Sequence, residues 1–308
     1  VFNVIKKFDK NVIVILSNGS ALNITPLLGY SNAVIEAWFL GNANAKPLVD
    51  VLTGIVNPSG RLSETFPLCI ENTPLHGLFP SKEDSVSYVG DIVNTGYRYY
   101  DTHKHEVRYP FGFGLSYSDF NYDSITVNKK ELSDGDSVQV EVQITNTSVH
   151  DGYEVVQVYI HDKESYLSRP YKELKGFKKV FIKAKETVKV TIELDERAFA
   201  VYSVDFKDFR VETGEFDILV GKNANEIVLQ ETICFISRKP FRSNQSIYHT
   251  VKYFKLHNRE KFDIVVKKYR DFPWYEIEEP TIRVFKRLKR EFKINDADFE
   301  ELLTFFVN

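Results

Sequence analysis

Residues 137–146 place Val138, Val140, Val142 and Ile144 on one side of an extended chain and Gln139, Glu141 and Gln143 on the other. A helix cannot use that pattern, because strict period 2 buries one face only when the backbone is pleated. Residues 187–194 repeat it through Val188, Val190, Ile192 and Leu194, and residues 215–221 through Phe216, Ile218 and Val220. Such strands, with turn residues at Asp134-Gly135 and Thr213-Gly214, specify an antiparallel sandwich whose strands each have one buried and one wet face.

Residues 1–110 obey a different rule. Val12, Ile13, Val14, Ile15 and Leu16 form a continuous apolar run that stops at Ser17-Asn18-Gly19-Ser20. A run without alternation is the pattern of a strand buried on both faces. Residues 33–40 are a second apolar run ending at Gly41, and residues 44–52 have helical spacing, with Pro47 tolerable in the first turn only. Gly54 ends that helix, and Asn57-Pro58-Ser59-Gly60 is a turn signal. Strand, turn, strand and helix in this order predict part of a mostly parallel α/β sheet. Beyond Cys234 the chain reads as helical and basic, with 16 Lys and Arg against 11 Asp and Glu over residues 238–308. The expected division is therefore 1–118, an α/β part with a connector; 119–237, a β-sandwich; and 238–308, a helical tail.

Composition narrows the functional classes. A chain of 308 residues with 43% apolar and 27% charged residues has enough apolar material for packed cores. The net charge of −3 gives no reason to expect a polyanionic partner, so no nucleic acid is predicted. Cys69 and Cys234 are too few for a disulfide framework or a cysteine-based zinc site. No apolar stretch approaches a membrane span. Residue 1 is Val and the chain lacks Met altogether, so it is expected to have come from something longer. Location stays open, cytoplasmic being slightly favoured over secreted, and a homo-oligomer is one possible state.

Three blocks carry a family resemblance. The first is Ala37-Trp38-Phe39-Leu40-Gly41 followed by residues 48–54 and by Asn57-Pro58-Ser59-Gly60-Arg61-Leu62, closing on Thr65-Phe66-Pro67. The second is Gly96-Tyr97-Arg98-Tyr99-Tyr100-Asp101 with residues 109–117, and the third runs from Glu154 through Arg169-Pro170 and residues 172–177 to Thr213-Gly214-Glu215-Phe216. In this order they resemble the C-terminal half of family 3 glycoside hydrolases of the β-glucosidase type, including the end of the α/β sandwich domain, a fibronectin type III-like domain and a helical extension. The chain departs from the family at residues 40–45, where a Pro-Gly and a Gly-Gly pair are usual, and just before Gly96, where an acidic residue is usual.

The resemblance implies hydrolysis of terminal β-linked sugars by a retaining mechanism. That chemistry needs two carboxyl groups about 5–5.5 Å apart. In the family the nucleophile is an Asp of a (β/α)8 barrel and the acid/base is a Glu on a loop upstream of the strand matched by residues 12–16. Neither segment lies within residues 1–308, so no catalytic residue, cofactor or metal site is assigned. The implied partners are the missing barrel portion and, through the complete enzyme, a β-linked glycoside. Members that place these domains before the barrel leave the order of the parent open. The alternative is a non-catalytic interaction or carbohydrate-binding module, with Tyr159, Tyr166 and Tyr171 as candidate sugar-facing aromatics. A third is a hydrolase with a site of its own.

The remaining motifs have plainer readings. Glu36, inside an apolar run, is read as a helix-end or charge-paired carboxylate rather than a catalytic one. Arg98 is read as bridging a domain boundary, stacked by Tyr97 and Tyr99 and donating to carbonyls. His103 and His105 lack a third ligand and read as a surface loop. Gly112 and Gly114 permit tight turns among aromatics. Asn-x-Ser/Thr tripeptides begin at Asn18, Asn23, Asn146 and Asn244. Residues 282–293 read as a basic amphipathic helix, expected to pack on the chain's own acidic domains.

Overall fold

The computed structural model describes residues 11–43, 45–77, 94–165, 167, 169–203 and 206–239. The predicted tail beyond residue 239, including its amphipathic segment, lies outside them. Strand β1 (Ile13–Leu16) leads through the short helix α1 (Thr25–Leu28) to β2 (Ala33–Glu36), which lies parallel to β1 with Ile13 opposite Ala33 and Leu16 opposite Glu36. The apolar run stops being a strand at Glu36 because Trp38 turns to a positive φ of 49° and Gly41 to 68°. Helix α2 (Ala45–Leu52) follows, with Pro47 third in its first turn. A short antiparallel pair, β3 (Phe66–Pro67) with β4 (Val107–Tyr109), brackets helix α3 (Tyr97–Thr102).

The sandwich begins with β5 (Phe120–Val127), β6 (Glu131–Ser133), β7 (Ser137–Asn146) and β8 (Gly152–Asp162). It continues through β9 (Glu173–Ile182), β10 (Thr187–Asp195), the one-turn helix α4 (Glu196–Phe199), β11 (Val201–Ser203), β12 (Asp208–Arg210), β13 (Gly214–Gly221) and β14 (Ile227–Ile236). One sheet is ordered β10-β7-β5 and the other β6-β14-β13-β8-β9, antiparallel except where β14 runs parallel to β6. The alternating residues behave as their pattern dictates: Val138, Val140, Val142 and Ile144 meet Val156, Val158, Ile160, Phe216 and Ile218 in one core. Cys234, where the sequence turns basic, still pairs within β14 opposite Glu215, so the sheet outlasts the compositional change.

The α/β segment contrasts with this. Among the described residues its parallel pairing is limited to the two four-residue strands β1 and β2, and Ile13, Ile15, Phe39, Val49 and Ile55 are exposed. Parallel strands are stable when both faces are covered.

Candidate functional site at the junction of the two folds

The polar residues of the family-like blocks converge where the connector meets β8 and β9. The first cluster is organised by Asn57 and Arg61. Asn57 Oδ1 accepts from Ser116 Oγ (2.9 Å) and from the Tyr117 amide (2.8 Å), while its Nδ2 donates to Ser118 Oγ and to the Asp151 carbonyl, both at 2.9 Å. Arg61 donates to the Gly114 carbonyl at 2.9 Å and to Glu154 Oε2 at 2.7 Å. Glu154 also accepts from Tyr122 Oη at 2.9 Å. Its side chain lies on the core face of β8 beside Val156 and Val158, and its burial pushes its pKa up despite Arg61 and Tyr122. Gly114 is required here, since a Cβ would lie 2.3 Å from the Gly60 carbonyl oxygen.

The second cluster is built on α3. Tyr97 stacks on Phe111 (4.9 Å), meets Tyr159 edge-on (5.9 Å) and accepts the Leu174 amide at 2.7 Å. Arg98 pairs with Glu173 at 3.1 Å, so it does cross the boundary, and the partner it reaches among the described residues is a carboxylate. Asp101 pairs with Lys172 at 2.7 Å with both side chains buried, and Thr102 Oγ1 accepts the Tyr171 amide at 2.9 Å. Arg169 then joins Asp162 (2.8 Å) to Glu173 (3.1 Å). Burial raises the pKa of Asp101 and of Asp162 against the pull of their cations. For Glu173 burial also pushes upward, but Lys175, Arg169 and Arg98 together overcome it and the pKa is lowered. Between the clusters, Gln157 donates to the Gly112 and Lys222 carbonyls and accepts from buried Tyr159. Gly112 has φ +80°, and a Cβ there would lie 2.2 Å from Gln157 Oε1.

Four carboxylates of the junction are thus held by cations: Glu154 by Arg61, Asp101 by Lys172, Asp162 by Arg169, and Glu173 by three. These pairs tie Arg61, Arg98 and Asp101 of the connector to Glu154, Glu173 and Lys172 on the strands of the sandwich. The sequence marks Glu154 by its inward position among valines, a signal that alternation alone makes visible. The pairing of Lys172 with Asp101 carries no such mark.

The other candidates separate from the junction. Glu36 lies at the end of a strand, not a helix, and accepts from Asn18 Nδ2 (3.2 Å) and the Trp38 amide (3.0 Å), clamping the left-handed turn after β2; among the described residues it has no charge partner. His103 and His105 stack on each other and lie tilted against Tyr99, and among the described residues no group of three or more His, Cys, Asp and Glu is placed to hold a metal. Tyr159 is fully buried, Tyr171 is half-exposed against the His161 ring, and Tyr166 lies outside the described residues. Of the four tripeptides, Asn146 is buried and donates to the His150 and Ile182 carbonyls, which leaves no room for a glycan. Asn23 is exposed, and Asn244 lies outside the described residues.

Comparison with known proteins places these features in a lineage. Residues 1–117 match the model of the glycosyl hydrolase family 3 C-terminal domain, and residues 154–224 match that of the fibronectin type III-like domain. The thermostable beta-glucosidase B of Acetivibrio thermocellus is 43% identical over 247 residues, covering 79% of this chain and 32% of that protein. The exo-alpha-(1->6)-L-arabinopyranosidase of Bifidobacterium longum is 42% identical over 219 residues, covering 71% and 28%. The Bifidobacterium adolescentis GH3 beta-glucosidase superposes with a TM-score of 0.71 at 38% identity, over 80% of this chain and 37% of that one. For beta-glucosidase 3B of Thermotoga neapolitana in complex with alpha-D-glucose the TM-score is 0.68 at 34% identity, over 76% and 33%. The chain spans about a third of the length of these relatives. It belongs to glycosyl hydrolase family 3, corresponding to the C-terminal portion of the family's proteins.

Proposed function

We propose that this chain is the supporting C-terminal portion of a retaining β-glycosidase that removes terminal β-linked sugars. The nucleophile Asp and the acid/base Glu belong to parts of the enzyme outside residues 1–308. The observation that carries this reading is the parallel pair β1–β2, whose apolar residues Ile13 and Ile15 are exposed. A pair of four-residue strands does not hold together unaided, and further strands and helices covering it are the natural complement. We divide the chain at 118/119 and 237/238, the sandwich acting as a brace that fixes the connector through Arg61–Glu154 and Lys172–Asp101. The relatives are named for beta-glucosides and, in one case, for an alpha-(1->6)-L-arabinopyranoside, so the proposal names no particular sugar.

Reconstitution tests it. The purified chain alone should give no turnover of an aryl β-glucoside. Mixing or co-expressing it with a barrel-bearing portion of a relative such as the Acetivibrio thermocellus enzyme should give turnover. Hydrolysis by the chain alone, or a mixture no more active than the barrel portion by itself, would sink the proposal.

A further inference from the structure

The acidic net charge of the chain conceals a segregation within the sandwich. Residues 172–189 carry seven lysines and two acidic residues, whereas the rest of residues 119–237 carries 20 acidic and eight basic ones. This basic stretch is β9, an edge strand, with the turn into β10. Its two ends use their lysines differently. Toward the connector Lys172 and Lys175 are spent on Asp101 and Glu173. At the far end Lys178, Lys179, Lys183 and Lys185 are exposed and form no ion pair among the described residues.

The same end displays aromatic rings. Period 2 puts Phe177, Lys179 and Phe181 on one face of β9, and Tyr153 lies opposite Phe181 on β8. Phe177 is 69% exposed, Tyr153 45% and Phe181 44%. Tyr153 and Phe181 have ring centroids 5.0 Å apart, and Lys179 Nζ sits 5.3 Å from the Tyr153 centroid. Phe177 and Phe181 are four residues apart on one strand, or about 13 Å. Lysine on an edge strand is a common guard against sheet-to-sheet association, but that role is not served by exposed aromatics on the same strand.

We propose that this face of the sandwich binds an anionic polysaccharide, one built of pyranose rings bearing carboxylates. Pyranose C–H faces stack on the negative faces of Phe177, Phe181 and Tyr153, and Lys179 and Lys183 take the uronate groups. Charge complementarity selects this occupant. The chain's own tail, with 16 basic against 11 acidic residues, carries the wrong sign to cover the face. The inference concerns the sandwich surface alone and stands or falls independently of the glycosidase reading.

The full chain is tested by affinity electrophoresis and calorimetry against polygalacturonate, a neutral cello-oligosaccharide, and single-stranded DNA of matched charge. Polygalacturonate should bind, more weakly as salt rises, and the neutral sugar and the DNA should bind at least about tenfold more weakly. Phe177→Ala with Phe181→Ala, and separately Lys179→Gln with Lys183→Gln, should each weaken binding about tenfold or more at an unchanged melting temperature, the lysine pair also flattening the salt dependence. Lys189→Gln, which removes a lysine paired with Glu141 on the other sheet, should change nothing. Absence of polygalacturonate binding, DNA binding of equal strength, or an aromatic double variant that binds as well as the parent would each overturn the proposal. Salt-insensitive binding by the unaltered chain would do so without any variant.

Discussion

At the scale of single residues, the junction is decided by charges removed from water. Lys172 and Asp101 are both buried and meet at 2.7 Å, so neither can lose its partner cheaply. Replacing Lys172 by Met leaves a buried carboxylate alone, a change that costs about 3–5 kcal/mol. Burial already holds the Asp101 pKa above its usual value, so the orphaned group will take up a proton as pH falls. A group with a raised folded pKa contributes most below its unfolded pKa, and that contribution is lost as pH rises through the folded value. The variant's deficit should therefore be larger at pH 8 than at pH 5, as urea melts at the two values will read. Double substitution with Asp101→Asn should recover part of the loss. Sequence inspection picks out Arg98 from its flanking tyrosines yet gives no sign that its partner is Glu173, because the two are far apart along the chain. Glu36 is a different case: its oddity in an apolar run suggests a helix end or a charge partner, and among the described residues the strand-end turn supplies amide donors.

At the scale of elements, α3 and the start of β9 form one electrostatic unit. Glu173 is drawn on by Arg98 from the helix, Arg169 from the preceding loop and Lys175 from its own strand. Their combined pull outweighs burial and lowers its pKa from the ordinary 4.5. The sign is then opposite to that of Asp101: the contribution of Glu173 is full above its unfolded pKa and disappears as pH falls through the depressed folded one. Thermal melts of the chain and of Glu173→Gln should differ most at neutral pH and converge in acid. Convergence on raising the pH instead would show that the cations do not dominate. The strands β7 and β10 are legible from alternation, since they bury the residues their period selects, whereas β13 also buries Asp217 and Leu219 on the face expected to be wet, because that face too is covered. The register that places Tyr153 beside Phe181, and so creates an exposed aromatic face, follows from the β8–β9 pairing and not from either strand alone.

At the scale of the whole molecule, two regions of unequal self-sufficiency share one chain. The sandwich has a closed core from Phe120 to Phe235. The parallel pair β1–β2 exposes apolar side chains, and its backbone bonds are few. Amide exchange should accordingly be fast in residues 13–16 and 33–36 and slow in residues 138–144 and 156–160. Adding a complementing barrel-bearing portion should slow the first set and leave the second as it was. Equal protection of both regions in the isolated chain would mean that the pair is already covered.

The sequence by itself determined the change from a continuous apolar run to strict alternation, and with it an α/β segment followed by a sandwich. It also carried the three ordered blocks that place the chain in its family, because periodicity and motif order are local or one-dimensional properties. Tertiary structure alone decided which charges meet, which aromatics are covered and which Asn-x-Ser/Thr sites are open. Tyr159 and Tyr153 both fall on the outer face of β8, yet Tyr97 and Phe111 cover the first and nothing among the described residues buries the second. Asn146 satisfies a glycosylation pattern and is nonetheless buried, because its side chain completes two backbone hydrogen bonds inside the sandwich. These outcomes depend on neighbours contributed from distant parts of the chain, and burial is a property of such assemblies and not of a residue's place in the sequence.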